Sequence, residues 1–128
     1  MQPGYDCQVH SDAYLRHFRD PQGQGSLPEA THSATVTDPA CGDELALDLE
    51  VAAGRIQAAR FRVRGCSGAI AAGSALATLL PGRAAAATAV TRDELDAALG
   101  GVAGAKRHAL RLALNALTAA LQGSSSTT

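Results

Sequence analysis

Aromatic residues are scarce in this sequence. Tryptophan is absent, and two Tyr and two Phe make up 3% of 128 residues. A core must therefore be built from Ala, Val, Leu and Ile. Such side chains bury little area each, at roughly 25 cal/mol per Å² of apolar surface. The same shortage argues against a surface for stacking nucleic-acid bases. Charge of one sign is also lacking: 11 basic and 12 acidic residues leave a net −1. No overall field draws the chain to nucleic acid or anionic lipid. No apolar run reaches the roughly 18 residues that a membrane span needs. The opening Met1-Gln2-Pro3-Gly4-Tyr5-Asp6 has neither the apolar stretch of a signal sequence nor an Arg-rich transit pattern. The expected location is the cytoplasm. Cysteine is limited to Cys7, Cys41 and Cys66. An odd number at wide spacing does not form a secreted disulfide framework. In a reducing compartment these residues stay thiols, available for metal or redox chemistry. Close cysteine pairs of the zinc-finger kind, Walker and dinucleotide glycine patterns and internal repeats are all missing.

What is present is 46% apolar residues, enough for the core of one small domain. Residues 1–11 read as a flexible N-terminus. Asp12 is placed to cap a short helix through Tyr14, Leu15 and Phe18, which share one face. Pro21 stops it, and residues 22–26 are loop. Thr31 to Thr37 is β-branched enough for an edge strand, ended by Asp38-Pro39. Leu45, Leu47, Leu49 and Val51 then alternate with Glu44, Ala46, Asp48 and Glu50, giving one buried and one wet face. After an Ala53-Gly54 turn, Ala59, Phe61 and Val63 alternate with Arg60, Arg62 and Arg64. The acidic outer face of one strand can pair with the basic outer face of the next. Gly65 breaks the second strand. Ala69 to Leu80 reads as a buried helix stopped by Pro81-Gly82. Thr91-Arg92-Asp93-Glu94 is a capping box, opening a short helix that ends at Gly100-Gly101. A last helix runs from about Ala105 to Leu121, with Leu110, Leu114, Leu117 and Leu121 as its core stripe. The domain spans 12–121, and 122–128 is a disordered tail rich in Ser and Thr. Strands followed by helices make an α+β fold: a small antiparallel three-stranded sheet with helices packed on one face.

Four residues carry candidate chemistry. Cys41 precedes a strand beside Gly42 and Asp43, and glycine lets the backbone turn so that a thiolate and a carboxylate reach one spot. Cys66 lies where a strand gives way to a helix, and the amide N–H groups of a helix N-terminus favour a thiolate. His108, in the first turn of the last helix, can offer a neutral nitrogen to a metal. Each has a plainer reading when taken alone. Buried free cysteines are common small hydrophobes, Asp43 suits a turn, and His108 suits a surface. Cys7 reads as a free thiol. Ser11 to His17 supplies no nucleophile–base arrangement that sequence supports. Composition and period stop at a small α+β domain with a candidate metal site.

The same residues resemble the U-type iron–sulfur scaffold family, the IscU/NifU-like proteins. Tyr14-Leu15-Arg16-His17-Phe18-Arg19-Asp20-Pro21 looks like its opening helix and Asn-Pro-type stop, with Gly25 following. Asp38-Pro39-Ala40-Cys41-Gly42-Asp43 resembles its Asn-Pro-x-Cys-Gly-Asp motif. Ile56 and Phe61 fit its second strand. Gly65-Cys66-Ser67-Gly68-Ala69-Ile70-Ala71, continued by Ser74, resembles its Gly-Cys-x-x-x-x-Ala segment. Gly82-Arg83 stands at its Gly-Lys.

The resemblance covers about residues 12–121 and implies a SufE/NifU-like fold and a scaffold, not an enzyme. Such a scaffold takes sulfur from a cysteine desulfurase and iron from an iron donor. It builds a [2Fe–2S] cluster on cysteines, helped by the Asp after the first one, and passes it to apo iron–sulfur proteins. Thiolates suit iron and sulfide, and a hard carboxylate oxygen keeps a soft site labile. Two departures stand out. Lys106-Arg107-His108-Ala109 aligns with Lys-x-His-Cys, so Ala109 replaces the third cysteine. Val102-Ala103-Gly104-Ala105-Lys106 replaces the Leu-Pro-Pro-Val-Lys segment that a dedicated chaperone reads. The stretch from Gly82 to Lys106 also lacks the insertion of the zinc-dependent sulfur-acceptor branch. The remaining ligand types are Cys41, Asp43, Cys66 and His108. They suit a transient [2Fe–2S] cluster with mixed ligation, or Zn²⁺ in a protein that modulates a desulfurase without building clusters. Neither nucleic acid nor membrane is an expected partner. A cluster shared between two chains would offset the missing cysteine, which leaves a homodimer open.

Overall fold

The computed structural model describes residues 11–40, 42–86, 88–101 and 107–122. Cys7, Cys41, segment 102–106, the tail from 123 and the N-terminal segment up to residue 10 lie outside the described residues. The described residues form α1 (Asp12–Arg19), β1 (His32–Thr37), β2 (Glu44–Ala52), β3 (Arg55–Arg64), α2 (Ser67–Leu79), α3 (Arg92–Ala98) and α4 (Arg107–Leu121). The strands make one antiparallel sheet in the order β1-β2-β3. α4 packs on β1 and β2, α2 packs on β3 and on α4, and α1 lies on α2. This is the expected α+β plan. No described helix is long and apolar enough to cross a membrane.

The β2–β3 hairpin follows from its alternating pattern. Leu45, Leu47 and Leu49 face Val63, Phe61 and Ala59 across the register, and all but Val63 are fully buried. Ala53 and Gly54 make the turn with φ of 55° and 75°, the left-handed values that suit the twist of a two-residue hairpin. The Phe61 ring fills the space that Gly73 leaves on α2: a Cβ at Gly73 would lie 2.5 Å from Phe61 Cδ2. The outer edge of β3 is covered by loop backbone. Phe61 N–H donates to Gly23 O (2.8 Å), and Ile56 N–H donates to Arg83 O (2.8 Å). Such cover satisfies edge groups that would otherwise pair with another chain.

The outer face of β2 is drier than its alternation suggests. Asp48 is only 7% exposed, and Ala46 is buried. The chain between α1 and β1 folds over this face. Leu27 N–H donates to Asp48 Oδ2 (3.1 Å), and Arg62 donates to Gly25 O (3.0 Å) and Ser26 Oγ (2.9 Å). The expected acid–base pairing is present as Arg62–Asp48 at 3.0 Å and, looser, Arg64–Glu44 at 3.9 Å.

Four local expectations are corrected. Ser11, not Asp12, caps α1: its Oγ accepts from Tyr14 N (2.9 Å) and donates to Leu99 O (2.5 Å). A hydroxyl can do both, whereas an ionised carboxylate cannot donate. Tyr14 is buried but Phe18 is 38% exposed, so the two do not share a buried face. The box at α3 closes by half. Thr91 Oγ1 accepts from Glu94 N (3.1 Å), while the Glu94 carboxylate turns to an ion pair with Arg83. The buried stripe of α4 also differs. Ala109, Leu110, Leu112, Ala113, Ala116, Leu117 and Ala120 are buried, and Leu114 and Leu121 are only partly covered. Alanines at 109, 113, 116 and 120 repeat with helical spacing and let the helix sit close to its neighbours.

Candidate metal centre

The site forms where one end of the sheet meets the starts of α2 and α4. β1 and β2 are joined by a turn whose ends are tied: Asp38 N–H donates to Asp43 O (2.8 Å), and Gly42 N–H donates to Asp38 O (2.8 Å). The Asp38 carboxylate accepts from Ala40 N (2.8 Å), closing the local turn typical of an Asp before proline. Gly42 takes φ 80°, a left-handed value that glycine adopts without steric cost. The turn therefore delivers Asp43 one residue ahead of β2. Its side chain falls on the inner face, in step with Leu45 and Leu47.

Cys66 is the N-cap residue of α2, with φ −80° and ψ 167°. Its side chain makes no capping hydrogen bond. It forms no disulfide and is partly buried. His108 is the second residue of α4. Its Nε2 lies 4.0 Å from Cys66 Sγ and 3.8 Å from Asp43 Oδ2. The Asp43 side chain is 10% exposed and that of His108 30%. One ligand atom from each of Asp43, Cys66 and His108 falls within a 4.8 Å cluster. Neither α2 nor α4 has an acidic residue in its first turn. The amide groups at these two helix starts favour negative charge nearby.

A tetrahedral ion with bonds of about 2.0–2.3 Å holds its ligand atoms about 3.3–3.7 Å apart. The observed 3.8 and 4.0 Å are slightly wider, so a small inward movement of side chains would close three positions around one ion. The donor set of sulfur, imidazole nitrogen and carboxylate oxygen fits zinc or iron. Cys41, the fourth expected ligand, lies outside the described residues. Ala109 follows His108 and is buried against the core.

The supports of this centre were not foreseen from the sequence. Tyr14 Oη lies 3.2 Å from Ser67 Oγ, tying α1 to the residue after Cys66. Ser74, fully buried on α2, accepts from Gln22 N (2.8 Å) and shares a hydrogen bond with His17 Nδ1 (2.7 Å). Burial, and then the charge of Arg16, hold the His17 pKa below its ordinary value. A neutral His17 can accept from the Ser74 hydroxyl. Only the Ser among small residues on a buried helix hinted at this anchor.

Comparison with known proteins agrees with this fold. The sequence profile of the NifU-like N terminal domain matches residues 9–126. The iron–sulfur cluster assembly scaffold protein IscU 1 of Archaeoglobus fulgidus is 34% identical over 114 residues, covering 88% of this chain and 74% of that one. The nitrogen fixation protein NifU of Cereibacter sphaeroides is 42% identical over 105 residues, which is 81% of this chain and 43% of that longer protein. In three dimensions, the crystal structure of a NifU-like N-terminal protein from Brucella abortus superposes with a TM-score of 0.75 at 18% identity, over 88% of this chain and 92% of that one. With its profile, its relatives and its fold in agreement, the chain belongs to the NifU-like N-terminal domain family.

Proposed function

We propose that this chain is a non-catalytic scaffold or carrier for iron–sulfur cluster assembly. In this reading it receives iron from a donor and sulfur from a cysteine desulfurase, and passes a [2Fe–2S] cluster to apo-proteins. The observation that carries the reading is the meeting of Asp43, Cys66 and His108 from a turn and two helix starts within 4.8 Å. Cys41, two residues before Asp43 in the sequence, is the second thiolate of this reading. Iron and sulfide are cargo here, and the protein's part is to hold them. Cys66 offers a thiolate at the start of α2. His108 presents an imidazole nitrogen. Asp43 offers an oxygen, a poor match for a soft cluster, which keeps the cargo transferable. Ala109 stands where the resemblance places a third cysteine, so the ligation is mixed and weaker than an all-thiolate set.

The test is anaerobic isolation followed by reconstitution with iron and sulfide. A [2Fe–2S] absorbance band is expected, lost in Cys41→Ala and Cys66→Ala. Ala109→Cys is expected to raise the iron retained per chain. A colourless product under every condition overturns the reading.

One observation favours a second reading, a zinc-holding protein that modulates a desulfurase without building clusters. Asp43 Oδ2 and Cys66 Sγ stand 3.8 and 4.0 Å from His108 Nε2, near the ligand spacing around one tetrahedral ion. About one zinc per chain, with no uptake of iron and sulfide, would select it.

A further inference from the structure

Gly65 shapes the site although it offers no ligand. The β2–β3 register places Glu44 opposite Arg64, and one step further Asp43 stands opposite Gly65. On β2 the inner face carries Leu45, Leu47 and Leu49, and on β3 it carries Ala59, Phe61 and Val63. Alternation therefore puts positions 43 and 65 on that same inner face. Every inward position of β3 before the site is filled by a side chain. Position 65 is empty, and the Asp43 carboxylate lies in its place. A Cβ at residue 65 would stand 2.5 Å from Asp43 Oδ1, 2.6 Å from Cγ and 2.9 Å from Cβ. Three atoms of one short, 10%-exposed side chain are met at once. The conflict involves the root of that side chain as well as its tip, so a rotation of the carboxylate alone does not relieve it.

We propose that Gly65 is a positioning residue for Asp43. Its missing side chain is the space through which the carboxylate reaches His108 and Cys66. This inference rests on the reading of Asp43, Cys66 and His108 as a metal site, and it assigns a role to a residue outside the ligand set. In Gly65→Ala the methyl group takes the carboxylate's place, and the site is left with thiolate and imidazole.

The test is a double-mutant cycle on the full chain, read by Co²⁺ titration through the visible ligand-field bands, with circular dichroism to confirm folding. Gly65→Ala is expected to weaken Co²⁺ binding about 10–100-fold, the range found when the supports of metal ligands are disturbed. Asp43→Gly, which removes the whole side chain, is expected to weaken it to a similar extent. The double variant Gly65→Ala/Asp43→Gly is expected to match Asp43→Gly alone, because the methyl group then meets neither the carboxylate nor the Cβ of residue 43. Should Gly65→Ala fail to fold while the double variant folds, the conflict is located at Asp43 and the proposal stands. Gly65→Ala binding within threefold of the unmodified chain overturns it. So does a double variant whose loss is the product of the two single losses, or one that does not fold, because the glycine then acts through its backbone. If the unmodified chain takes up no Co²⁺, the metal-site reading fails and this inference fails with it.

Discussion

Asp43 and Asp48 stand five residues apart, both 7% exposed, and they sit among opposite kinds of neighbour. An odd separation along an extended chain sends them to opposite faces of the sheet. Asp48 faces outward and is saturated. It accepts from Leu27 N (3.1 Å), Ser33 Oγ (3.0 Å) and Arg62 Nη1 (3.0 Å). Burial alone would raise its pKa. The hydrogen bond and charge of Arg62, with those from Leu27 and Ser33, outweigh burial and hold it below the ordinary value. Asp43 faces inward, with the Cys66 sulfur and the His108 nitrogen as its neighbours in the cluster. The same residue type at the same burial is structural where donors converge on it and ligand-like where other ligands do. Burial alone does not separate these roles; the chemistry of the neighbours does.

The largest effect should come from breaking the structural member of the pair. Asp48→Ala strands the Leu27 amide and the Ser33 hydroxyl and removes the partner of Arg62. A loss of about 2–3 kcal/mol is expected in urea unfolding, with Co²⁺ affinity unchanged. Asp43→Ala or Cys66→Ala should do the reverse. Co²⁺ binding should weaken by on the order of 10–100-fold, equivalent to about 1.4–2.7 kcal/mol, while unfolding moves by less than about 1 kcal/mol. If both aspartates proved equally costly to stability, the contrast would collapse.

Acid sharpens the comparison further. The folded pKa of Asp48 is lowered, so the stability it contributes is complete above the unfolded value of about 4. It is lost as pH falls through the lower folded value. Asp48→Asn should thus be less stable than the unmodified chain at pH 7, and the gap should close as pH drops below about 4. A gap that does not narrow at all as pH falls below about 4 would mean that packing, not charge, sets the role of Asp48. The smallest effect is expected well away from both carboxylates. Ser11→Ala removes the cap of α1 and should cost about 1 kcal/mol in urea unfolding, with no change in Co²⁺ affinity.

Much of the fold was legible in the sequence. The β2–β3 hairpin was readable because its alternation is local and nearly unbroken from Leu45 to Val63. β1, α3 and the order of elements followed from turn and cap residues. The burial of Asp48 was not legible, because it depends on the chain from Gly25 to Leu27 folding across the sheet. The inner face of α4 was misread for a different reason. Leucines draw the eye to 114 and 121, whereas Ala109, Ala113, Ala116 and Ala120 sit deeper. Close packing favours the smaller residue, and hydrophobic periodicity gives alanine little weight.

The site was only partly legible. Asp43, Cys66 and His108 are each ordinary alone, and spacing along the chain does not reveal that three elements end together. Family resemblance supplied the grouping, and the structure brings three of the four residues into one cluster. The role argued for Gly65 required the strand register, which places it opposite Asp43. A glycine between a strand and a helix otherwise reads as a simple break.

The alanine ridge of α4 carries a mechanical consequence for the same site. Along this ridge, between the buried Leu110, Leu112 and Leu117, methyl groups stand where longer side chains would act as spacers, so the helix approaches its neighbours to within the thickness of one carbon. His108 rides at the tip of that helix like the end of a beam on a thin shim. Thickening the shim anywhere along its length would tilt the beam. The gap between imidazole, thiolate and carboxylate would then open without a change in any of the three.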